Sequence, residues 1–267
     1  FNIIFIILLI YFLKILFDTK KEHFSTKSFR LKILVPFYNP GAKLFKRCMQ
    51  SIENQENNNY DVCMIDDAST KEVDEIHKIM DDYSKKYKNF HSIKKKENLG
   101  TLHSNILAMK KLNCEDNDVV IIVDGDDSLF GTQSFNIIEK AYLENDIDVT
   151  FGNYYRRYKD KIDYKINVDC KRDYATIKRN HSYRDMNVWF GFSHIKTFKY
   201  KMFKSVPHNY FKDKDGKYFK SSTDVATMLS VLERSGGRFK CIDEPIYVYT
   251  SDHPNSHHNN DNTLKKQ

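Results

Sequence analysis

Five short apolar runs in this chain each end in polar residues, and helical patterns fill the intervals between them. The runs are LKILVPFYN (31–39), DVCMIDDAS (61–69), the start of FHSIKKKENLG (90–100), VVIIVDGDD (119–127) and IDVTFGNYY (147–155). In the intervals, apolar residues recur at the spacing of a helix buried on one face: Leu44, Phe45, Cys48 and Ile52; Val73, Ile76, Ile79, Met80 and Tyr83; Leu102, Ile106 and Met109; Phe135, Ile138 and Tyr142. Strands alternating with such helices predict βαβ units, hence an α/β fold with a mostly parallel sheet flanked by helices. Ligands of these sheets bind beyond the carboxyl ends of the strands. The polar residues fall at those ends: Asn39, then Asp66 and Asp67, then Asn98, then Asp124, Asp126 and Asp127.

Beyond residue 155 the pattern loosens. The stretch YYRRYKDKIDYKINVDCKRDY (154–174) mixes aromatic and basic residues and suits a hairpin with its Lys-Asp pair near the turn. SHIKTFKYKMFKSV (193–206) and TDVATMLSVLERSGG (223–237) read as helices, the second stopped by Gly236 and Gly237. FKCIDEPIYVYT (239–250) is strand-like, and 251–267 is a polar tail.

With 267 residues, 40% of them hydrophobic and 14% aromatic, the chain can bury a sizeable core, which excludes global disorder. The net charge of +7 is a modest excess, compatible with nucleic acid, anionic lipid or a phosphate-bearing substrate. Five cysteines at wide intervals, without a CxxC, argue against a disulfide framework and against a zinc finger. The segment FNIIFIILLIYFLKILF (1–17) is apolar except at Asn2 and Lys14. As a helix it would rise roughly 26 Å, close to the hydrocarbon thickness, and no small-residue cleavage pattern follows. The expectation is a single-pass membrane anchor over 1–17, a linker over 18–30, a main domain over 31–250 and a tail over 251–267. Lys20, Lys21, Lys27 and Arg30 favour a cytosolic main domain, although the side of the membrane stays open.

The motifs narrow the chemistry. No G-x-G-x-x-G follows the first strand, and no G-x-x-x-x-G-K-[ST] occurs, so neither a nicotinamide-type site nor a P-loop is present. Clustered carboxylates at a strand end suit a hard divalent cation, Mn²⁺ or Mg²⁺, which takes one or two carboxylates together with substrate phosphate oxygens. Asp-Gly-Asp turns two carboxylates to one side, with Gly125 easing the turn. The same residues could instead cap helices, as could Asp67–Ser69 and, before a helix beginning at Val225, Asp224.

Taken in order, VPFYNP, IDDAS, ENLG, VDGDD and the Thr-Asp of STDVATM resemble the pattern of family 2 glycosyltransferases with the GT-A fold, over about residues 31–250. The resemblance implies a Rossmann-like, mostly parallel sheet with an irregular acceptor-side C-terminal half. It implies a metal-dependent, inverting transfer of a sugar from a nucleotide diphosphate donor, UDP rather than GDP, to a hydroxyl on a glycan, protein or lipid. Pro36, Tyr38 and Asn39 would border the base, Asp66 would accept from a uracil-type base, and Asn98 would contact the nucleoside. Asp67 and Ser69 would shape the turn. Where relatives carry Arg-Asn in the next helix, this chain has Ser104-Asn105.

Asp126 would hold the metal with Asp124 nearer the ribose, and Asp127 is a further candidate. His253 would complete the metal shell, with His257 and His258 as competitors for that role. Asp224 would be the catalytic base. Trp189 and His194 would meet donor or acceptor sugar, although Trp189 also suits a core position.

Two other classes fit parts of the sequence. A metal-dependent phosphohydrolase or nuclease could use the same aspartates without needing Asp66. An RNA-binding module built on 154–174 would be indifferent to Asp126 and steeply salt-dependent. The five ordered motifs favour the transferase, with no nucleic-acid partner expected.

Overall fold

The computed structural model describes residues 29–166 and 192–252. The first part alternates as the periodicity predicts: β1 (Leu31–Phe37), α1 (Ala42–Glu53), β2 (Tyr60–Asp66), α2 (Val73–Lys86), β3 (Phe90–Lys94), α3 (Thr101–Lys111), β4 (Val119–Ile122), β5 (Ser128–Leu129), α4 (Ser134–Glu144) and β6 (Val149–Gly152). Then follow β7 (Tyr154–Tyr158), β8 (Lys161–Ile166), β9 (Lys196–Lys199), α5 (Tyr200–Lys204), α6 (Thr223–Ser235), β10 (Phe239–Ile242) and β11 (Tyr247–Thr250). Seven strands form the main sheet in the order β10-β6-β9-β4-β1-β2-β3. All neighbours pair parallel except β9, which runs antiparallel to both β4 and β6.

Burial explains the layers. In β1, β2 and β4 nearly every side chain is buried, as in a sheet covered on both faces. Alternate residues go to opposite sides. Ile33, Val35, Val62, Met64, Val119 and Ile121 pack with Phe45 and Met49 of α1, Ile76 of α2 and Phe135 of α4. Leu34, Cys63, Ile65, Val120 and Ile122 pack with Leu102 and Met109 of α3, Phe203 of α5 and Met228 and Leu232 of α6. Pro36 is accommodated inside a central strand for a specific reason. Its carbonyl accepts from Gly125 N–H at 3.1 Å, so its missing N–H falls on the same, β4 side. There the ladder has already ended at Leu34–Ile122.

A second sheet, β5-β11-β7-β8, meets the turn after β4, where Tyr247 and Thr250 of β11 bond to Asp124 and Asp127. The β7–β8 hairpin turns at Lys159 and Asp160, both with positive φ, which matches the right-handed strand twist.

Three expectations need correction. The segment 193–206 is not one helix but β9 followed by the five-residue α5. Ile195 joins one core layer and Phe198 the other, so its period is two rather than 3.6. The cysteine spacing gave no sign of a disulfide, yet Cys241 is disulfide-bonded, while Cys48, Cys63 and Cys114 are free. The single-pass N-terminal anchor is not supported. Among the described residues no helix is long and apolar enough to cross a membrane. The longest, α2, has 14 residues and an exposed polar face, against the ~20 apolar residues a span needs. Segment 1–17 itself lies outside the described residues.

Candidate active site

The carboxyl ends of β1, β2 and β4 meet the start of β9 and the start of α6. The turn after β4 carries Asp124, Gly125, Asp126 and Asp127. Gly125 does not need a left-handed backbone here, because positive φ is absent from it. Close approach is what requires it: a Cβ at this position would sit 2.7 Å from the Cβ of Phe37. The turn is held from several sides. Asp124 N–H donates to the Tyr247 hydroxyl at 3.1 Å, and that hydroxyl donates to Asp127 Oδ2 at 2.8 Å. Thr250 N–H donates to Asp127 Oδ1 at 2.7 Å. From α1, the Cys48 thiol donates to the Asp124 carbonyl at 3.7 Å.

Negative charge is concentrated here. Burial pushes the Asp127 carboxyl well above the usual carboxylate range, with Asp126 and Asp124 adding to the shift. Burial also raises Asp124, opposed by the Lys196 ammonium and reinforced by Asp224. His194 lies against the same turn. Its ring stacks on Tyr247 with centroids 4.7 Å apart, and its Nδ1 is buried without a hydrogen-bond partner. Burial, then Lys196, push its pKa well below the usual imidazole value, which favours the neutral ring that ligates metals.

Ligand atoms of Asp124, Asp127 and His194 all lie within 4.8 Å of one another. The orphaned His194 nitrogen and two carboxylates form an oxygen-and-nitrogen donor set that fits a divalent ion such as Mn²⁺. Asp126 lies on the same turn, half-buried, but outside that converging group. His253, His257, His258 and Trp189 lie outside the described residues.

Asp224 stands on the first turn of α6 with a side chain 48% exposed. The helix begins at Thr223 with Ser222 at the capping position, so Asp224 is not the cap that its sequence context also allowed. Lys196 joins the two halves of the site. Its Nζ lies 3.9 Å from Asp124 Oδ2 and 3.9 Å from Asp224 Oδ2, on a side chain only 5% exposed. Because β9 is reversed, pairing Lys196 with Ile122 puts its leading end beside the trailing end of β4.

The β2 side is built from interlocked polar groups. Asp66 is buried; its Oδ1 accepts from Ser69 N–H at 2.8 Å and its Oδ2 lies 2.7 Å from His77 Nε2. Each oxygen keeps a second lone pair. Asn39 clamps the same turn: its Oδ1 accepts from Thr70 N–H and Lys71 N–H at 2.7 and 3.0 Å, and its own N–H donates to Ser69 Oγ at 2.8 Å. Asp67 holds the loop after β3, accepting from Leu99 N–H at 3.1 Å, Gly100 N–H at 2.8 Å and the Lys95 ammonium. Tyr38 and Asn98 are exposed, whereas Pro36 is buried in β1. Asn105 is buried, with its Oδ1 unpartnered. The Asn98 carbonyl accepts from Lys220 Nζ at 3.4 Å, so the loop after β3 closes toward the segment before α6.

Sequence reasoning missed Lys196, Tyr247 and His77. Alternation in HIKTF, read as a strand, would have set Lys196 on the same side as Phe198. Nothing in the sequence announces the pairing that gives Lys196 or Tyr247 its place.

A mostly parallel sheet with one reversed strand and carboxylates gathered at its carboxyl edge is the architecture of GT-A glycosyltransferases. The chain belongs to glycosyl transferase family 2, whose model matches residues 32–209. Among solved structures, it is similar to S. aureus TarS 1–349 in complex with UDP-GlcNAc, at 18% identity and a TM-score of 0.58, covering 84% of this chain and 59% of TarS 1–349. It is also similar to the mannosyltransferase PcManGT from Pyrobaculum calidifontis in complex with GDP-Man and Mn²⁺, at 15% identity and a TM-score of 0.53, covering 91% of this chain and 66% of that one. The chain thus spans about 60% of the length of TarS 1–349. No curated protein sequence matches it.

Proposed function

We propose that residues 31–250 transfer a sugar from a nucleotide diphosphate donor, UDP-linked rather than GDP-linked, to a hydroxyl of a glycan, protein or lipid acceptor, with inversion. One observation carries this reading: a cation-seeking carboxylate turn at Asp124–Asp127 and a solvent-accessible carboxylate, Asp224, stand on either side of one ammonium, Lys196. The nucleotide-sugar complexes of TarS and PcManGT support a donor of this class.

In this reading Pro36, Tyr38, Asn39 and Asn98 border the nucleoside. Asp66 presents its remaining lone pairs to an N–H of the base. Asp124 and Asp126 on the acidic turn would hold Mn²⁺ or Mg²⁺, with Asp127 and His194, whose ligand atoms converge with those of Asp124, or with His253 completing the set. When bound, such a cation would supply positive charge for the departing diphosphate.

Asp224 takes the proton of the acceptor hydroxyl as that oxygen attacks the anomeric carbon. The new carbon–oxygen bond forms as the bond to the diphosphate breaks, and the electron pair of that bond leaves with the diphosphate. A single displacement inverts the anomeric centre, and the carboxylate ends the step protonated.

The test is a thermal-shift panel of nucleotide sugars with and without Mn²⁺, followed by calorimetry of UDP on two variants. Asp126→Ala is expected to remove the Mn²⁺-dependent gain alone. Asp66→Ala is expected to weaken UDP even in metal-free buffer. No selective response from any nucleotide sugar would overturn the reading.

A further inference from the structure

A buried lysine between two carboxylates on different elements is a costly feature. An ammonium loses its hydration on entering a protein interior and is kept there only when opposing charge compensates it. Lys196 meets this condition with one cation shared between two anions, both at 3.9 Å and neither in direct hydrogen-bond contact. One of the carboxylates, Asp124, belongs to the half-buried turn after β4. The other, Asp224, is on the accessible first turn of α6. Without a cation between them, two carboxylates at this edge would repel, and Asp224, being exposed, is the one free to swing toward solvent. Lys95, at the carboxyl edge of the sheet, is engaged elsewhere, with Asp67.

We propose that Lys196 is a positioning residue: its ammonium holds the Asp224 carboxylate toward the acidic turn after β4, using Asp124 as the second anchor. The inference rests on the functional reading above, in which Asp224 is the base. It adds a consequence of its own. A divalent cation bound at Asp124 repels Lys196, so metal loading and Lys196 compete for Asp124, and loading leaves Asp224 as the principal partner of Lys196. Removing the ammonium is therefore expected to act in opposite directions on metal binding and on transfer.

The test compares Lys196→Met, Lys196→Gln and Lys196→Arg in the full chain, each also combined with Asp224→Asn. Mn²⁺ affinity is read by calorimetry, folding by melting temperature, and transfer as separate kcat and KM. For Lys196→Met, kcat is expected to fall by about thirtyfold or more while donor KM changes little. Mn²⁺ affinity is expected to rise by about tenfold, the scale of one lost charge interaction. Lys196→Arg is expected to recover part of kcat. In the Asp224→Asn background, adding Lys196→Met is expected to cost little more, because the residue through which it acts is already disabled.

A general loss of structure would instead lower Mn²⁺ affinity, kcat and melting temperature together, and Lys196→Gln, which keeps a neutral polar end on a slightly shorter side chain, provides a second folded test. Equal losses of kcat in both backgrounds, or Mn²⁺ affinity that falls with transfer, overturn the role of Lys196 while leaving the transferase reading intact. A wild-type chain that transfers no sugar from any donor overturns both.

Discussion

The Tyr247 hydroxyl accepts from the backbone N–H of Asp124 at 3.1 Å and donates to Asp127 Oδ2 at 2.8 Å, so one side chain of β11 grips both ends of the acidic turn. The bond to Asp127 spans 120 positions of sequence and is buried. The same tyrosine ring also stacks on His194. Turn, histidine and second sheet are therefore one packed unit. Tyr247→Phe keeps the ring and the stack but strands a buried carboxylate oxygen and a backbone N–H. The expected cost is roughly 2–3 kcal/mol of stability, with weaker Mn²⁺ binding. Denaturant melts and a Mn²⁺ titration of this variant check it; unchanged values in both would show that the turn holds itself.

Asp224→Asn separates base from scaffold. Size is conserved, and Ser222 rather than Asp224 occupies the capping position, so the helix start is kept and any loss of stability comes from Lys196, left with Asp124 alone. Nucleotide affinity in metal-free buffer should also stay near wild type. Transfer should fall by about two orders of magnitude or more, as expected for loss of a positioned general base. Near-normal turnover in this variant would remove Asp224 from the mechanism.

Gly125→Ala tests whether close packing sets the height of the acidic turn. The added methyl would lie 2.7 Å from Phe37 Cβ, an atom attached directly to the β1 backbone and unable to swing aside. Relief requires the turn or β1 to move, at an expected cost of about 1–3 kcal/mol. Donor affinity should fall with stability. If Gly125→Ala costs as much in a Phe37→Gly background, which lacks that Cβ, as it does in wild type, the clash is not its cause.

Acid stability should report on Glu53. The Lys86 ammonium first, then the Tyr87 and Tyr83 hydroxyls, hold its carboxyl down at about 2 against an ordinary value of 4.5. A carboxylate with a depressed folded pKa contributes stability that is present above its unfolded pKa and is lost as pH falls through the folded one. Wild type should therefore lose melting temperature between about pH 4.5 and pH 2 more steeply than Glu53→Gln. Parallel profiles for the two proteins would show that this cluster carries no net stabilisation.

Local pattern alone determined much of this protein. Apolar residues at spacing two or three to four announce β1 to β4 and α1 to α4, because a strand or helix must bury one side and that requirement is written in neighbouring residues. The same logic set Asp66, Asp67, Asn98 and Asp124 at one edge, since parallel strands deliver their carboxyl ends together. Tertiary structure decided what a local window cannot hold. β9 reads as a helix until β4 and β6 offer it pairing partners, and its reversal is what brings Lys196 and His194 to the acidic turn. Asp224 and Lys196 are 28 residues apart in the chain, and Asp124 lies 72 residues before Lys196, yet one ammonium reaches both carboxylates. Electrostatic energy depends on distance through space, and only the folded sheet fixes that distance.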